Sequence, residues 1–214
     1  HITYNITQKE NKGMKKTTTL ILVFAVVSAL CFAQPVAEES KAQKYVASTS
    51  WVAAIAELAG IDDIVTVAPA NLKHPPEYEI TADDMANVVN AKLFMHAGYE
   101  KMMKTLGDAA QLDSNRIVKV KTTNTLENLS NMVDMLSQKT GTQEKAAERF
   151  GEFQELIEDA RERIAQSPNK DIEVYANVNQ AEFARDLGLN VVSTFGAGAL
   201  TAAQIEEAHS KAYP

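Results

Sequence analysis

Residues 44–67, KYVASTSWVAAIAELAGIDDIVTV, decide the fold, because they place a strand, a helix and a second strand in succession. Residues 44–48 form a short apolar strand, and residues 51–59 have the apolar spacing of a helix. Gly60 follows at the position where a helix commonly ends in a left-handed residue. Residues 62–67 are a second strand. This succession predicts parallel strands whose following loops meet at one edge of a sheet.

The same alternation continues to the end of the chain. Further strands are predicted at 92–95, 116–120, 172–175 and 190–193. Further helices are predicted from Thr81, with a hydroxyl cap, and at 100–106 (closed by Gly107), 180–187 and 201–212.

The segment between residues 126 and 165 differs from this alternation. Its apolar residues recur at helical spacing with an interruption at Gly141, which predicts one long amphipathic helix or a broken pair of helices. The sequence therefore predicts an α/β fold with two lobes, at 44–124 and 171–214, with mostly parallel sheets and a long backbone helix at 125–167 between them. The second lobe has only two predicted strands and two predicted helices, so we expect it to be incomplete and the sequence to be truncated after Pro214.

The N-terminal residues have the pattern of a targeting segment. Met14 is followed by two lysines and by an apolar run at 20–32 that is too short to span a bilayer. We expect a signal peptide at 14–33, which predicts a secreted or periplasmic protein. Residues 1–13 precede it, and we expect them to be a non-native upstream extension. A lipid anchor at Cys31 is the alternative, although Leu30 precedes it where a lipidation site favours a small residue.

Composition excludes several classes of function. Asp and Glu outnumber Lys and Arg by 28 to 21, which gives a net charge of -7 and argues against a partner nucleic acid. A single cysteine forms no disulfide within the chain and no cysteine-based zinc cluster. The sequence contains no G-x-S-x-G, H-E-x-x-H or G-x-x-x-x-G-K-[ST] motif, so we expect no enzyme. We also expect a monomer.

Several runs resemble the periplasmic zinc/manganese solute-binding proteins of ABC transporters. They are VASTSWV at 46–52, AGIDDI at 59–64, HPPEYEIT at 74–81 and GYE at 98–100. The resemblance covers about residues 45–214 and includes the order of the elements. It implies a secreted receptor that holds one divalent metal ion, zinc or manganese, between its two lobes and delivers it to a membrane permease.

The ligand positions that the resemblance implies do not carry histidine in this chain. They fall on Pro76, Gly98 and Asn177, whereas His74 and His96 lie two residues before the first two of them. Both histidines follow or end predicted strands at the same sheet edge, and imidazole suits zinc, manganese or iron.

Other residues complete the predicted site. We expect Glu79 and Glu100 to add oxygen ligands to His74 and His96, and Ser50, Trp51 and Asn177 to line the cleft. Pro75 and Pro76 restrict the backbone after His74, so His74 is expected to contribute more to metal affinity than His96.

Two alternatives stay open. A receptor of the same plan for a metal chelate, haem or corrinoid needs few protein ligands, because the chelate brings its own. A secreted enzyme is the third possibility, for which the sequence shows no motif.

Overall fold

The computed structural model describes residues 44–109, 112–196 and 198–211. The predicted extension at 1–13, the signal peptide at 14–33 and Cys31 lie outside the described residues. Six strands are described: β1 (Tyr45–Ala47), β2 (Ile64–Thr66), β3 (Leu93–His96), β4 (Ile117–Lys119), β5 (Val174–Asn177) and β6 (Val191–Phe195). Seven α-helices are described: α1 (Ser50–Leu58), α2 (Ala82–Val89), α3 (Met102–Ala109), α4 (Leu126–Thr140), α5 (Gln143–Gln166), α6 (Ala181–Asp186) and α7 (Ala202–Lys211).

The first four strands form one parallel sheet in the order β2-β1-β3-β4. This arrangement confirms the predicted α/β fold with a parallel sheet. The chain passes from β1 to β2 on one side and then crosses back over β1 to β3. The direction of winding therefore reverses between β1 and β3, and the loops that follow these two strands diverge there.

Helices cover both faces of this sheet. Successive residues of each strand point to opposite faces, so both faces carry apolar side chains that need to be covered. Val46 and Phe94 pack with Val88 of α2 and Leu106 of α3. On the opposite face lies a larger cluster, which combines strand residues with α1, α4 and the start of α5: Ala47, Met95, Val52, Ile55, Leu129, Val133, Leu136, Ala146 and Phe150. Burial of this kind supplies the main driving force for folding.

Gly60 ends the first helix as the sequence predicts. Its φ is +79°, and a Cβ atom there would lie 2.7 Å from Cβ of Lys145 and 2.9 Å from the carbonyl oxygen of Thr142. Glycine is therefore required both by the backbone conformation and by the close approach of α5.

The long helical segment is a broken pair, which was one of the two predicted arrangements. α4 ends at Gly141, whose φ of +76° stops the helix, and α5 begins at Gln143. The prediction that α3 closes at Gly107 is wrong, because the helix continues to Ala109. A glycine inside a helix lowers stability by about 1 kcal/mol relative to alanine, which is too little to end a helix by itself.

The last elements form a second, two-stranded parallel sheet of β5 and β6. Asp186 at the end of α6 accepts hydrogen bonds from the backbone N–H of Leu126 at 2.7 Å, and it pairs with the Arg161 guanidinium of α5 at 2.9 Å. The second sheet is thereby tied to both long helices.

No helix within the described ranges is long and apolar enough to cross a membrane. The lobe boundaries at 44–124, 125–167 and 171–214 stay a prediction.

Candidate functional site

The candidate site lies at the carboxyl ends of β1 and β3, where the winding reverses. Ser48 follows β1 directly, and its backbone N–H donates to the carbonyl oxygen of Met95 at 2.8 Å. His96 is the last residue of β3, so its side chain lies at the sheet edge where α/β proteins bind ligands.

Glu100 is buried beneath the loop that follows β3, with 3% of its surface exposed. Its carboxylate accepts hydrogen bonds from the Ser48 hydroxyl, from the N–H of Ala97 at 2.7 Å and from the N–H of Gly98 at 2.6 Å. Burial raises the pKa of the Glu100 carboxyl, but these donors outweigh burial and hold the pKa below its ordinary value. Glu100 is therefore an ionised carboxylate at neutral pH.

His96 is half-buried and stacks on Phe94 with 5.8 Å between the ring centroids. Its Nδ1 atom is buried and has no hydrogen-bond partner among the described residues. Burial lowers the pKa of the imidazole, the Glu100 charge raises it and Lys119 lowers it, with a net decrease. The ring is thus neutral at pH 7, which is the form that binds metal ions.

Lys119 lies beside this loop at the end of β4. Gly98 has a φ of +93°, and a Cβ atom there would lie 2.7 Å from Cε of Lys119. The loop after His96 therefore passes close to the lysine side chain, and the positive φ of Gly98 is a backbone conformation that favours glycine.

His74 and Glu79 belong to the neighbouring loop after β2. His74 is exposed and precedes a short 3-10 helix at Pro75–Glu77. Glu79 is exposed and forms an ion pair with Lys101, which lowers the pKa of its carboxyl. The backbone N–H of Lys101 donates to the carbonyl oxygen of Pro76 at 2.8 Å, so the two loops are in contact. Within the described ranges, no three His, Cys, Asp or Glu side chains converge as a metal-binding group.

The three residues predicted to line the cleft have different surroundings. Ser50 is half-buried at the start of α1, and the Trp51 side chain is 50% exposed. Asn177 ends β5, where its side chain accepts from the N–H of Asn179 at 2.9 Å and donates to the carbonyl oxygen of Gly196 at 3.1 Å. Asn177 therefore braces its own turn, and its role as a cleft residue stays a prediction.

Three residues of this edge were missed by the sequence interpretation. Ser48 holds Glu100, Lys119 covers the loop after His96, and the Tyr99 ring is 54% exposed with its hydroxyl 3.3 Å from Oγ1 of Thr122. Ser48 follows β1 and Lys119 ends β4, so their positions at strand ends were a usable signal, whereas their contacts depend on which strands pair.

A cavity of about 690 Å³ lies at the opposite, amino edge of the sheet. Its lining includes Glu57, Ile61, Asp62, Arg149 and Phe153. None of the predicted site residues lines it, so we place the candidate site at the carboxyl edge.

Comparison with solved structures shows what this architecture is similar to. The Mn-bound periplasmic metal binding protein from Candidatus Liberibacter asiaticus matches with a TM-score of 0.57 and 16% identity, over 80% of this chain and 77% of that chain. Its Cd-bound structure matches with the same TM-score of 0.57 and 15% identity, over the same shares of 80% and 77%. The SBP FpvC from P. aeruginosa, in complex with Ni²⁺, matches with a TM-score of 0.60 and 13% identity, over 80% of this chain and 74% of that chain.

No family model matches the chain, and no curated protein matches it by sequence. At these identities the likeness concerns the fold. The chain therefore has the fold of periplasmic metal-binding proteins.

Proposed function

We propose that this protein is an extracytoplasmic substrate-binding protein that captures a divalent metal ion, of the zinc or manganese class, and delivers it to the membrane permease of an ABC importer. The observation that carries the proposal is the neutral imidazole of His96, whose buried Nδ1 has no hydrogen-bond partner among the described residues. A buried nitrogen without a partner calls for a physical explanation, and a metal ion supplies one. The fold shared with Mn-, Cd- and Ni-bound proteins supports this interpretation.

We propose His96 as the first ligand. His74 is the second, because its loop is joined to the loop of Glu100 through Lys101 and Pro76. Glu79 can be a further oxygen ligand only after its ion pair with Lys101 breaks. Both side chains are exposed, and an exposed ion pair contributes little free energy, so it breaks easily. In this proposal the protein is a periplasmic carrier. It acts as a monomer and is not an enzyme.

The experiment is isothermal titration calorimetry of the full chain with Zn²⁺ and with Mn²⁺. His96→Ala is expected to weaken binding by at least about tenfold, and by more than His74→Ala, because His96 is fixed in the sheet whereas His74 is exposed. This order is the reverse of the one expected from the two prolines that follow His74 in the sequence. His209→Ala, on the exposed face of α7, is the matched control and should bind like the wild type. A wild-type protein that binds neither ion would refute the proposal.

A receptor for a metal chelate, haem or corrinoid is the second candidate. Two exposed aromatic rings favour it, since Trp51 and Tyr99 follow the neighbouring strands β1 and β3 and expose 50% and 54% of their surface. Rings at the mouth of a cleft bind flat organic ligands by stacking. Visible absorbance during titration with haem tests this candidate. A saturable spectral change that Trp51→Ala weakens would support it, and an unchanged haem spectrum would exclude haem as the ligand.

A further inference from the structure

We propose that Ser48 and Glu100 form a positioning pair that fixes the backbone on both sides of His96, and that neither of them binds the metal ion. The inference rests on the proposed function, because it assigns the residues that hold its first ligand in place. It also changes the role expected of Glu100, which the sequence suggested as an oxygen ligand.

The peptide group that precedes His96 is held by β1. The backbone N–H of Ser48 donates to the carbonyl oxygen of Met95 at 2.8 Å. This bond continues the pairing of β1 with β3 one residue past the end of β1.

The peptide group that follows His96 is held at both of its ends. The carbonyl oxygen of His96 accepts from the N–H of Val120 at 2.8 Å, and the N–H of Ala97 donates to Glu100 at 2.7 Å. The next N–H, of Gly98, donates to the second oxygen of Glu100 at 2.6 Å. The backbone torsions of His96 are therefore fixed from three directions, by Ser48, Val120 and Glu100.

Ser48 connects the two halves of this arrangement. Its hydroxyl donates to the same carboxylate oxygen that receives the Ala97 N–H, and Ser48 itself is fully buried. For Glu100 to turn toward a metal ion, it would have to release these donors inside the protein. Buried donors without partners are costly, so the carboxylate is retained where it is.

The carboxylate is difficult to replace by an amide. Each of its oxygens faces a backbone N–H, whereas the glutamine side chain has one oxygen and one amide nitrogen. In Glu100→Gln the side-chain amide would therefore meet either the Ala97 or the Gly98 N–H, donor against donor. Removing the Ser48 hydroxyl is a milder change that leaves both backbone contacts in place.

The test compares Ser48→Ala, Glu100→Gln and the double variant, with Glu155→Gln on the exposed face of α5 as the charge-matched control. The first readout needs no metal: in Glu100→Gln, hydrogen exchange is expected to accelerate at least about tenfold at whichever of the Ala97 and Gly98 amides faces the glutamine nitrogen, since that N–H loses its acceptor. The second readout is Zn²⁺ affinity, which should fall by about 10- to 100-fold in Glu100→Gln and less in Ser48→Ala. In the double variant the losses should be less than additive, because both residues act through one contact.

The third readout separates positioning from ligation. The absorption spectrum of the Co²⁺-loaded protein depends on the donor atoms, so it should change in His96→Ala and stay unchanged in Ser48→Ala and Glu100→Gln. A changed Co²⁺ spectrum in Glu100→Gln, with normal amide exchange at Ala97 and Gly98, would overturn the proposal and restore Glu100 as a ligand. Because Glu100→Gln disturbs two backbone contacts of the loop at once, Ser48→Ala provides the independent test. Wild-type affinity together with wild-type exchange in that variant would also overturn the pair. A wild type that binds no metal refutes the proposed function, whereas the exchange measurement still decides whether the pair holds the loop.

Discussion

At the scale of single residues, Asp62 shows how one carboxylate joins distant parts of the chain. It precedes β2, and it accepts from Lys145 at 2.5 Å and from Arg149 at 2.6 Å, both in α5. Hydrogen bonds from Lys145 and Arg149 lower the pKa of Asp62 from 3.8 to about 2. The pairing therefore helps to seat α5 against the amino edge of the sheet.

The depressed pKa of Asp62 predicts a pH dependence with a defined sign. Its contribution to stability is complete above pH 3.8 and is lost as the pH falls toward about 2, because the unfolded chain takes up the proton first. We expect the carboxyl of Asp62, followed by NMR, to titrate near pH 2 in the wild type and nearer 3.8 in the Lys145→Ala, Arg149→Ala double variant. A titration midpoint near 3.8 in the wild type would show that the two cations do not hold this carboxylate in solution.

Glu100 shows which contacts sequence reasoning misses. Its position close to His96 in the sequence led us to predict an oxygen ligand, and that role stays a prediction. Its partner Ser48 lies 52 residues earlier and approaches only because β1 and β3 are neighbours. The pairing order of strands depends on the whole chain, so contacts of this kind are not visible in a local pattern.

At the scale of elements, the boundaries that local chemistry controls were predicted well. Thr81 begins α2 with a capping box, in which its hydroxyl accepts from the Asp84 N–H and the Asp84 carboxylate accepts from the Thr81 N–H. Gly60 and Gly141 end their helices with left-handed backbones. The end of α3 was predicted too early, at Gly107, because a glycine without a left-handed backbone does not end a helix and this property cannot be read from the sequence.

The two left-handed glycines provide a matched pair for mutation. Gly60 and Gly141 have φ values of +79° and +76°, so alanine is strained by a similar amount at both, by roughly 1–2 kcal/mol. Only Gly60 is crowded by α5, with Cβ of Lys145 and the backbone of Ala146 within 3 Å of an added Cβ. We therefore expect Gly60→Ala to lower the free energy of unfolding by a further 1–3 kcal/mol or so relative to Gly141→Ala, measured by urea denaturation. Equal losses would mean that α5 moves away without cost.

At the scale of the whole molecule, Asp186 at the end of α6 forms a polar link to the two long helices α4 and α5. Its carboxylate accepts a hydrogen bond from the backbone N–H of Leu126 and forms an ion pair with Arg161, and its carbonyl oxygen accepts from Nε of Arg161. The side chains of Asp186 and Arg161 are both less than one-third exposed. Such partly buried, charge-assisted contacts contribute more than surface ion pairs do.

Loss of this link should loosen the second sheet selectively. We expect Asp186→Asn to lower the free energy of unfolding by about 1–3 kcal/mol and to speed hydrogen exchange in β5 and β6 more than in β1 and β3. Glu182→Gln, which removes a surface pair with Arg185 on the same helix, is the control and should change stability by less than about 0.5 kcal/mol. Uniform acceleration across both sheets would show that the molecule unfolds as one unit.

The parallel α/β architecture was predictable because strand and helix alternate with clear spacing from Tyr45 onward. The convergence of side chains at the carboxyl edge was only partly predictable. His96 was identified from its place at a strand end, whereas Lys119 was not, because its approach to Gly98 depends on the pairing of β3 with β4.

Trp51 gives the candidate site a built-in reporter. It is the only tryptophan in the sequence, and half of its side chain is exposed in the first turn of the helix that follows β1. Tryptophan fluorescence of this protein therefore comes from Trp51 alone, which lies beside the edge where β1 and β3 end. Arrival of a ligand at that edge can be timed by stopped-flow fluorimetry on the unlabelled protein, without an added dye that would alter the cleft.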